Sequence, residues 1–265
     1  MLNIRYLLAV VLLATGLAAC GGGGGSGDAL IPSPVSGTVV SRNVASKFTT
    51  TNYPLRVYLP PAGAEPLSKL PVVYALDGDN WFDILVSIAE STKSRVLIVG
   101  IGNNALRDRD YVPVNTCTPG GGGNVAFLDF LRQELTPFVE STLGGDPAQR
   151  ILIGHSHGGS FVIYAMFAEP PQAHHFRSYL ASDSSIDCMP QTVTAWEDAY
   201  AAAYTALPAR VHVSHAGNAA NRNFAFRLAS HNYSGLVLKE QAYVGTHTGI
   251  IPEAFRDAIA FALGG

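Results

Sequence analysis

Charge is scarce in this chain. Only 14% of its 265 residues are Asp, Glu, Lys or Arg, and the formal balance is -3, so there is neither a basic stripe for a nucleic-acid backbone nor an acidic tail. Nucleic acid is not an expected partner. Cysteine is scarcer still, at three residues, and no histidine stands beside them at ligand spacing, so no metal site is expected. The glycine run Gly120-Gly121-Gly122-Gly123 has no Gly-Lys-Ser/Thr after it and reads as a flexible loop ahead of a helix, not a phosphate cradle. No internal repeat is present. With metal spacing and nucleotide loop both missing, no cofactor is implied.

What the chain does have, first, is an apolar N-terminus. Arg5 precedes the run from Leu7 to Leu17, and small residues follow as far as Cys20; this is a secretion signal, too short for a stable membrane span. Leu17-Ala18-Ala19-Cys20 resembles a bacterial lipobox, which implies cleavage before Cys20 and acylation of that cysteine. The following Gly21-Gly22-Gly23-Gly24-Gly25-Ser26-Gly27 cannot pack and reads as a tether. The expected organisation is a signal peptide over 1–19, a lipidated cysteine and tether over 20–36, and one catalytic domain over 37–265. The protein is expected to be exported and anchored to a membrane by its lipid, on the periplasmic side or the cell surface. Gly21 in place of an aspartate implies the outer membrane in a Gram-negative host. With Cys20 acylated, Cys117 and Cys188 remain; a disulfide between them and two separate thiols are both open.

The domain itself alternates. Residues 37–47 and 55–59 read as antiparallel entry strands. Continuous apolar runs at 70–76, 95–101 and 150–153 then read as buried parallel strands, with further strands at 178–182, 210–214 and 235–243. Helical patterns fall between them at 80–91, 124–141, 156–167, 193–205, 218–231 and 252–263. Strands alternating with helices predict an α/β fold, a mostly parallel doubly wound sheet with its active groups at the carboxyl ends of the strands.

One of those ends carries the chemistry. Ile151-Leu152-Ile153 runs into Gly154-His155-Ser156-His157-Gly158, a strand entering Gly-x-Ser-x-Gly with an apolar helix pattern behind it. The glycines let strand and helix pass closely, and the sharp turn lifts the Ser156 hydroxyl above the sheet at a helix N-terminus that favours developing negative charge. A serine needs a base. Of eight histidines, His247 fits best, in a loop after the last strand and before the terminal helix.

Together these segments resemble the esterase D family of α/β hydrolases, which includes enterochelin-type siderophore esterases and mycolyltransferases. The matching pieces are Tyr74-Ala75-Leu76-Asp77-Gly78, Arg109-Asp110-Tyr111-Val112-Pro113, Phe127-Leu128-Asp129-Phe130-Leu131, Glu134-Leu135-Thr136-Pro137-Phe138, Gly154-His155-Ser156-His157-Gly158-Gly159, and His247 ahead of Phe255. The resemblance implies an α/β-hydrolase fold, Ser156 as nucleophile and His247 as general base. Geometry and the family pattern place the oxyanion hole at the backbone N–H of His157 and at that of Gly78 or Asp79.

The acid departs from the pattern. Many members carry an acidic residue just after the strand that 210–214 would form, and the stretch from Ser214 to Asn221 has none. Asp183 could orient His247 from the neighbouring strand end, Glu240 is close in sequence, and a Ser-His dyad with a backbone carbonyl or Asn218 holding the ring is the third option. The dyad is slightly favoured, and with it Asp183→Ala should keep most activity. Near the rim, Arg107 and Arg109 either grip an acidic substrate group or pair with their neighbouring aspartates; Trp81, Phe82 and Tyr111 either line the pocket or belong to the core. The expected activity is hydrolysis of a small or siderophore-like ester through an acyl-enzyme. An acyltransferase using the same Ser and His, and a non-catalytic ligand-binding surface lipoprotein, are the rivals.

Overall fold

A computed structural model describes residues 35–103, 105–113 and 119–264. The signal peptide, Cys20, most of the tether, and Cys117 lie outside the described residues. Eight strands form one sheet in the order β1-β2-β4-β3-β5-β6-β7-β8. Strands β1 (Thr38–Ala45) and β2 (Asn52–Leu59) enter as an antiparallel hairpin, and β2 joins β4 antiparallel. From β3 (Val72–Ala75) through β4 (Leu97–Ile101), β5 (Arg150–His155), β6 (Ser178–Ser182), β7 (Arg210–His215) and β8 (Val237–Ala242), every pairing is parallel. This is the α/β-hydrolase fold.

Both faces of the central strands are covered, which is why they read as unbroken apolar runs. Val73, Ala75, Ile151 and Ile153 point to the layer of α1 (Gly78–Thr92) and α8 (Ile251–Ala262). Val72, Tyr74 and Leu152 point to the other layer, where α5 (His157–Phe167), α6 (Pro190–Ala203) and α7 (Ala219–Ser230) pack. On that side lie also the short α2 (Arg107–Tyr111), which the apolar periodicity does not mark, and a helical stretch expected as one piece. The stretch is α3 (Asn124–Phe130), one π turn (Leu131–Leu135) and α4 (Thr136–Thr142). Beside the hairpin, the Ser36 N–H and Oγ both bond the Glu90 carboxylate, at 2.9 and 2.5 Å.

Candidate active site

The turn from β5 to α5 carries Ser156 with φ 60° and ψ -123°, a backbone region that non-glycine residues occupy only where surrounding structure forces it. The forcing contacts are identifiable. The Ser156 N–H donates to Ser182 O at 3.0 Å, and Ser156 O accepts from the N–H groups of Ser160 and Ser185 at 3.0 and 3.2 Å. Strand and helix cross so closely that a Cβ on Gly154 would stand 2.5 Å from the Gly158 carbonyl, and one on Gly159 would stand 2.5 Å from Ser184 Oγ. The serine hydroxyl lies 3.1 Å from Ser185 Oγ.

His247 reaches the site from the loop after β8. Its Nδ1 is 2.6 Å from Asp183 Oδ2, and the imidazole is 50% exposed while the Asp183 side chain is 5% exposed. Asp183 follows β6 with φ 38°, a left-handed conformation that aspartate tolerates better than most residues. It is pinned to the next strand end: its N–H donates to Ser214 O at 2.7 Å, and Oδ1 accepts the Ala216 N–H at 3.3 Å. Among the described residues no hydrogen bond joins Ser156 Oγ to His247, a looseness common before substrate is bound. The His247 ring rests on that of His155, centroids 4.3 Å apart, and Trp81 meets His155 edge-on at 5.8 Å. Burial pushes His155 down to about 3, with the charges of His247 and Arg107 adding to the effect. It is therefore a neutral floor under His247.

The second half of the site is where two helix N-termini meet. A Cβ on Gly158 would lie 3.3 Å from Asp77 Oδ2 and 3.4 Å from Leu76 Cβ, so the end of β3 abuts the start of α5. Asp77 caps α1 at φ 51°. Its N–H donates to the Tyr111 hydroxyl at 3.0 Å, while its carbonyl accepts from Asn80 and Trp81. Gly78 and Asp79 are thus the first residues of α1, where helix geometry leaves N–H groups without an intrahelical acceptor. His157 occupies the corresponding place on α5. Arg107 fixes this turn from α2, its Nε and Nη2 each 3.0 Å from the two oxygens of buried Asp77. Burial opposes the Arg107 charge, but the Asp77 bonds outweigh it and hold the guanidinium above its usual pKa.

The comparisons with known proteins bear on this geometry. The family model described as "Putative esterase" matches residues 46–229. The chain belongs to this esterase family. A siderophore triacetylfusarinine C esterase of Aspergillus fumigatus is 31% identical over 136 residues, 44% of each chain. An apo-salmochelin esterase of Escherichia coli is 30% identical over 161 residues, 52% of this chain and 49% of that one. The chain spans about half the length of the curated relatives it matches. Among solved structures, an IroE-like serine hydrolase from Shewanella oneidensis superposes with a TM-score of 0.75 at 27% identity, covering 84% of this chain and 79% of the other.

Within this family member several expected roles change. Where the sequence slightly favours a dyad, the structure sets a buried carboxylate, Asp183, against His247 Nδ1. Glu240 does not serve: its Oε1 is 2.7 Å from His215 Nε2. Asn218 instead caps α7 and bonds Asp187. Arg109 is not a substrate grip, since its Nε is 2.6 Å from fully buried Asp110 and its Nη2 bonds Thr51 and Tyr53. Tyr111 is not a pocket wall: it is fully buried among Phe127 and Phe161. Trp81 is half-buried against His155. Cys188 is disulfide-bonded, its partner lying outside the described residues.

Three contributors escaped the sequence reading. Ser185 partners the Ser156 hydroxyl, Asn221 clamps the segment carrying Ser185 through two bonds to the Ser184 backbone at 3.0 and 2.8 Å, and Asp108 holds His157. Only their positions after strands hinted at them.

Proposed function

We propose that this protein is a serine carboxylic-ester hydrolase with Ser156 as nucleophile, His247 as general base and Asp183 as the acid that orients it. The observation that carries the reading is the 2.6 Å Asp183–His247 bond beside a serine held at φ 60°. Asp183 accepts a hydrogen bond from Nδ1–H, which leaves the other ring nitrogen, Nε2, with its lone pair to take a proton. When an ester enters, the Ser156 hydroxyl exchanges Ser185 for His247 and attacks the carbonyl carbon while His247 accepts its proton. The carbonyl oxygen becomes an oxyanion, met by the N–H of His157 and of Gly78 or Asp79. Collapse expels the alcohol, which takes the proton from His247. Water then attacks the acyl-enzyme with His247 again as base, releasing the acid and restoring Ser156.

The siderophore esterases among its relatives support small siderophore esters as candidate substrates. Anchoring through an acylated Cys20 is part of the proposal, supported by Leu17-Ala18-Ala19-Cys20 and the glycine-serine run after it; mass analysis of the N-terminal peptide tests it. The catalytic test is labelling by a fluorophosphonate, run with Ser156→Ala and His247→Ala and with turnover of a short 4-nitrophenyl ester. Adduct on Ser156 that depends on His247 is expected. No adduct on the folded protein overturns the reading in favour of a ligand-binding lipoprotein, and product partition with an added alcohol separates hydrolysis from acyl transfer.

A further inference from the structure

Among the described residues the Ser156 hydroxyl has a single hydrogen-bond partner, and that partner is another hydroxyl. Ser185 Oγ stands 3.1 Å from Ser156 Oγ, and this is its one bond as well. The pair is held at backbone level. The Ser185 N–H donates to Ser156 O at 3.2 Å, and the preceding residue, Ser184, is gripped through its N–H and its carbonyl by fully buried Asn221. On its other side Ser185 leads into the turn Ile186–Cys188, where Ile186 is buried and Cys188 is disulfide-bonded. Asp183 lies two residues before Ser185. One short segment after β6 therefore meets His247 with a carboxylate and Ser156 with a hydroxyl.

In the free enzyme either hydroxyl can donate to the other. In an acyl-enzyme only one can, because Ser156 Oγ is then an ester oxygen without a hydrogen, and the Ser185 O–H is the donor. The strength of that bond changes along the reaction. An ester oxygen shares its lone pair with the adjacent carbonyl and accepts poorly. When water adds to the carbonyl carbon this delocalisation ends, and as the C–Oγ bond breaks negative charge gathers on Oγ until His247 returns its proton. A hydrogen bond to an oxygen that carries charge is roughly twice as strong as one to a neutral oxygen. An interaction that strengthens from ground state to transition state accelerates the step. Acylation differs, because the Ser156–Ser185 bond already exists in the free enzyme and gains little on attack.

We propose that Ser185 is a catalytic residue of the second half-reaction: its O–H donates to Ser156 Oγ in the acyl-enzyme and speeds release of the acyl group to water. The inference rests on the serine-esterase reading and adds a residue to it. Water forms the new C–O bond as His247 takes its proton, the C–Oγ bond breaks, and the His247 proton passes to Ser156 Oγ. Ser185 keeps its own hydrogen throughout. Loss of one such bond corresponds to a roughly tenfold slower step.

The experiment separates the two half-reactions in the full chain with 4-nitrophenyl butyrate, Ser156→Ala being the blank. The early release of 4-nitrophenol reports acylation, and decay of the butyryl adduct, followed by intact mass, reports deacylation. Ser185→Thr keeps the hydroxyl, and Ser185→Val has the same shape without it, so the two differ in the bond alone; Ser185→Ala is a smaller second deletion. In the valine and alanine variants the adduct should decay about tenfold more slowly, and kcat and KM should fall together as it accumulates. Their kcat/KM and rate of fluorophosphonate labelling should stay within about twofold of the parent. The threonine variant should recover most of the decay rate. Equal decay in Ser185→Val and Ser185→Thr, or labelling slowed as much as decay, overturns this inference alone, the second result making Ser185 a packing residue that places Ser156. Absence of any Ser156-dependent adduct or turnover in the parent overturns the esterase reading and the inference with it.

Discussion

Asp183→Asn is the substitution that weighs most on the mechanism. The side chain keeps its shape, and asparagine tolerates the left-handed φ of 38° as well as aspartate does. Its carbonyl oxygen can still accept the Ala216 N–H, now 3.3 Å from Oδ1. That orientation places the amide NH2 against His247 Nδ1, where a carboxylate oxygen now stands at 2.6 Å. Two donors cannot face each other, so the ring adopts the tautomer protonated at Nε2 and its lone pair turns away from Ser156. The imidazolium formed during attack also loses its counter-charge. In triad enzymes this exchange lowers kcat by about 10⁴-fold, equivalent to about 5.5 kcal/mol. The expected result is a fall of 10³ to 10⁴ in kcat for a neutral 4-nitrophenyl ester, a similar slowing of fluorophosphonate labelling, and a melting temperature within about 4 °C of the parent. A variant that stays folded and retains a tenth or more of kcat would refute the triad and restore the dyad.

Three further outcomes follow from packing and burial. Gly154→Ala and Gly159→Ala each drive a methyl to 2.5 Å of a neighbouring atom and should destabilise the fold by about 1–3 kcal/mol, with Gly154 the worse because its obstacle is backbone; denaturant melts check the order. Arg107→Met strands the buried Asp77 carboxylate and should lose about 3–5 kcal/mol of stability together with kcat, whereas Asp77→Asn combined with Arg107→Met should recover part of the stability but not the activity. Burial holds His155 and His175 at about 3 and His212 at about 4, all below the unfolded value near 6.5. Between these limits the unfolded chain binds more protons, so stability is full above about pH 6.5 and falls as pH drops toward 4. His212 is fully buried and neither ring nitrogen is hydrogen-bonded among the described residues. His212→Leu should therefore flatten the pH dependence of the melt by about one proton; an unchanged slope would refute the assignment.

What the sequence could and could not convey follows from how local each determinant is. Ser156 was legible because strand, turn and helix are contiguous, and a glycine at 154 has meaning within four residues of one at 158. His247 was legible by position, since it alone stands in a loop between the last strand and the last helix. Asp183 lies 64 residues from His247, and nothing local says whether a residue after β6 or after β7 will lie under the histidine. That depends on strand order, and on how far the loop after β8 leans back over β7. The same reasoning explains the arginines. Arg107 and Arg109 are two residues apart in a five-residue helix with no apolar period, so a one-residue change in where that helix starts decides which side chain faces Asp77 and which faces Asp110. The structure turns Arg107 toward the oxyanion side and Arg109 toward Tyr53. Both arginines are thereby committed to aspartates, and the N–H groups that face the serine turn come from helix ends. A strand, turn and helix can thus be read in ten letters, while the partner of each arginine waits on which of two adjacent ion pairs forms.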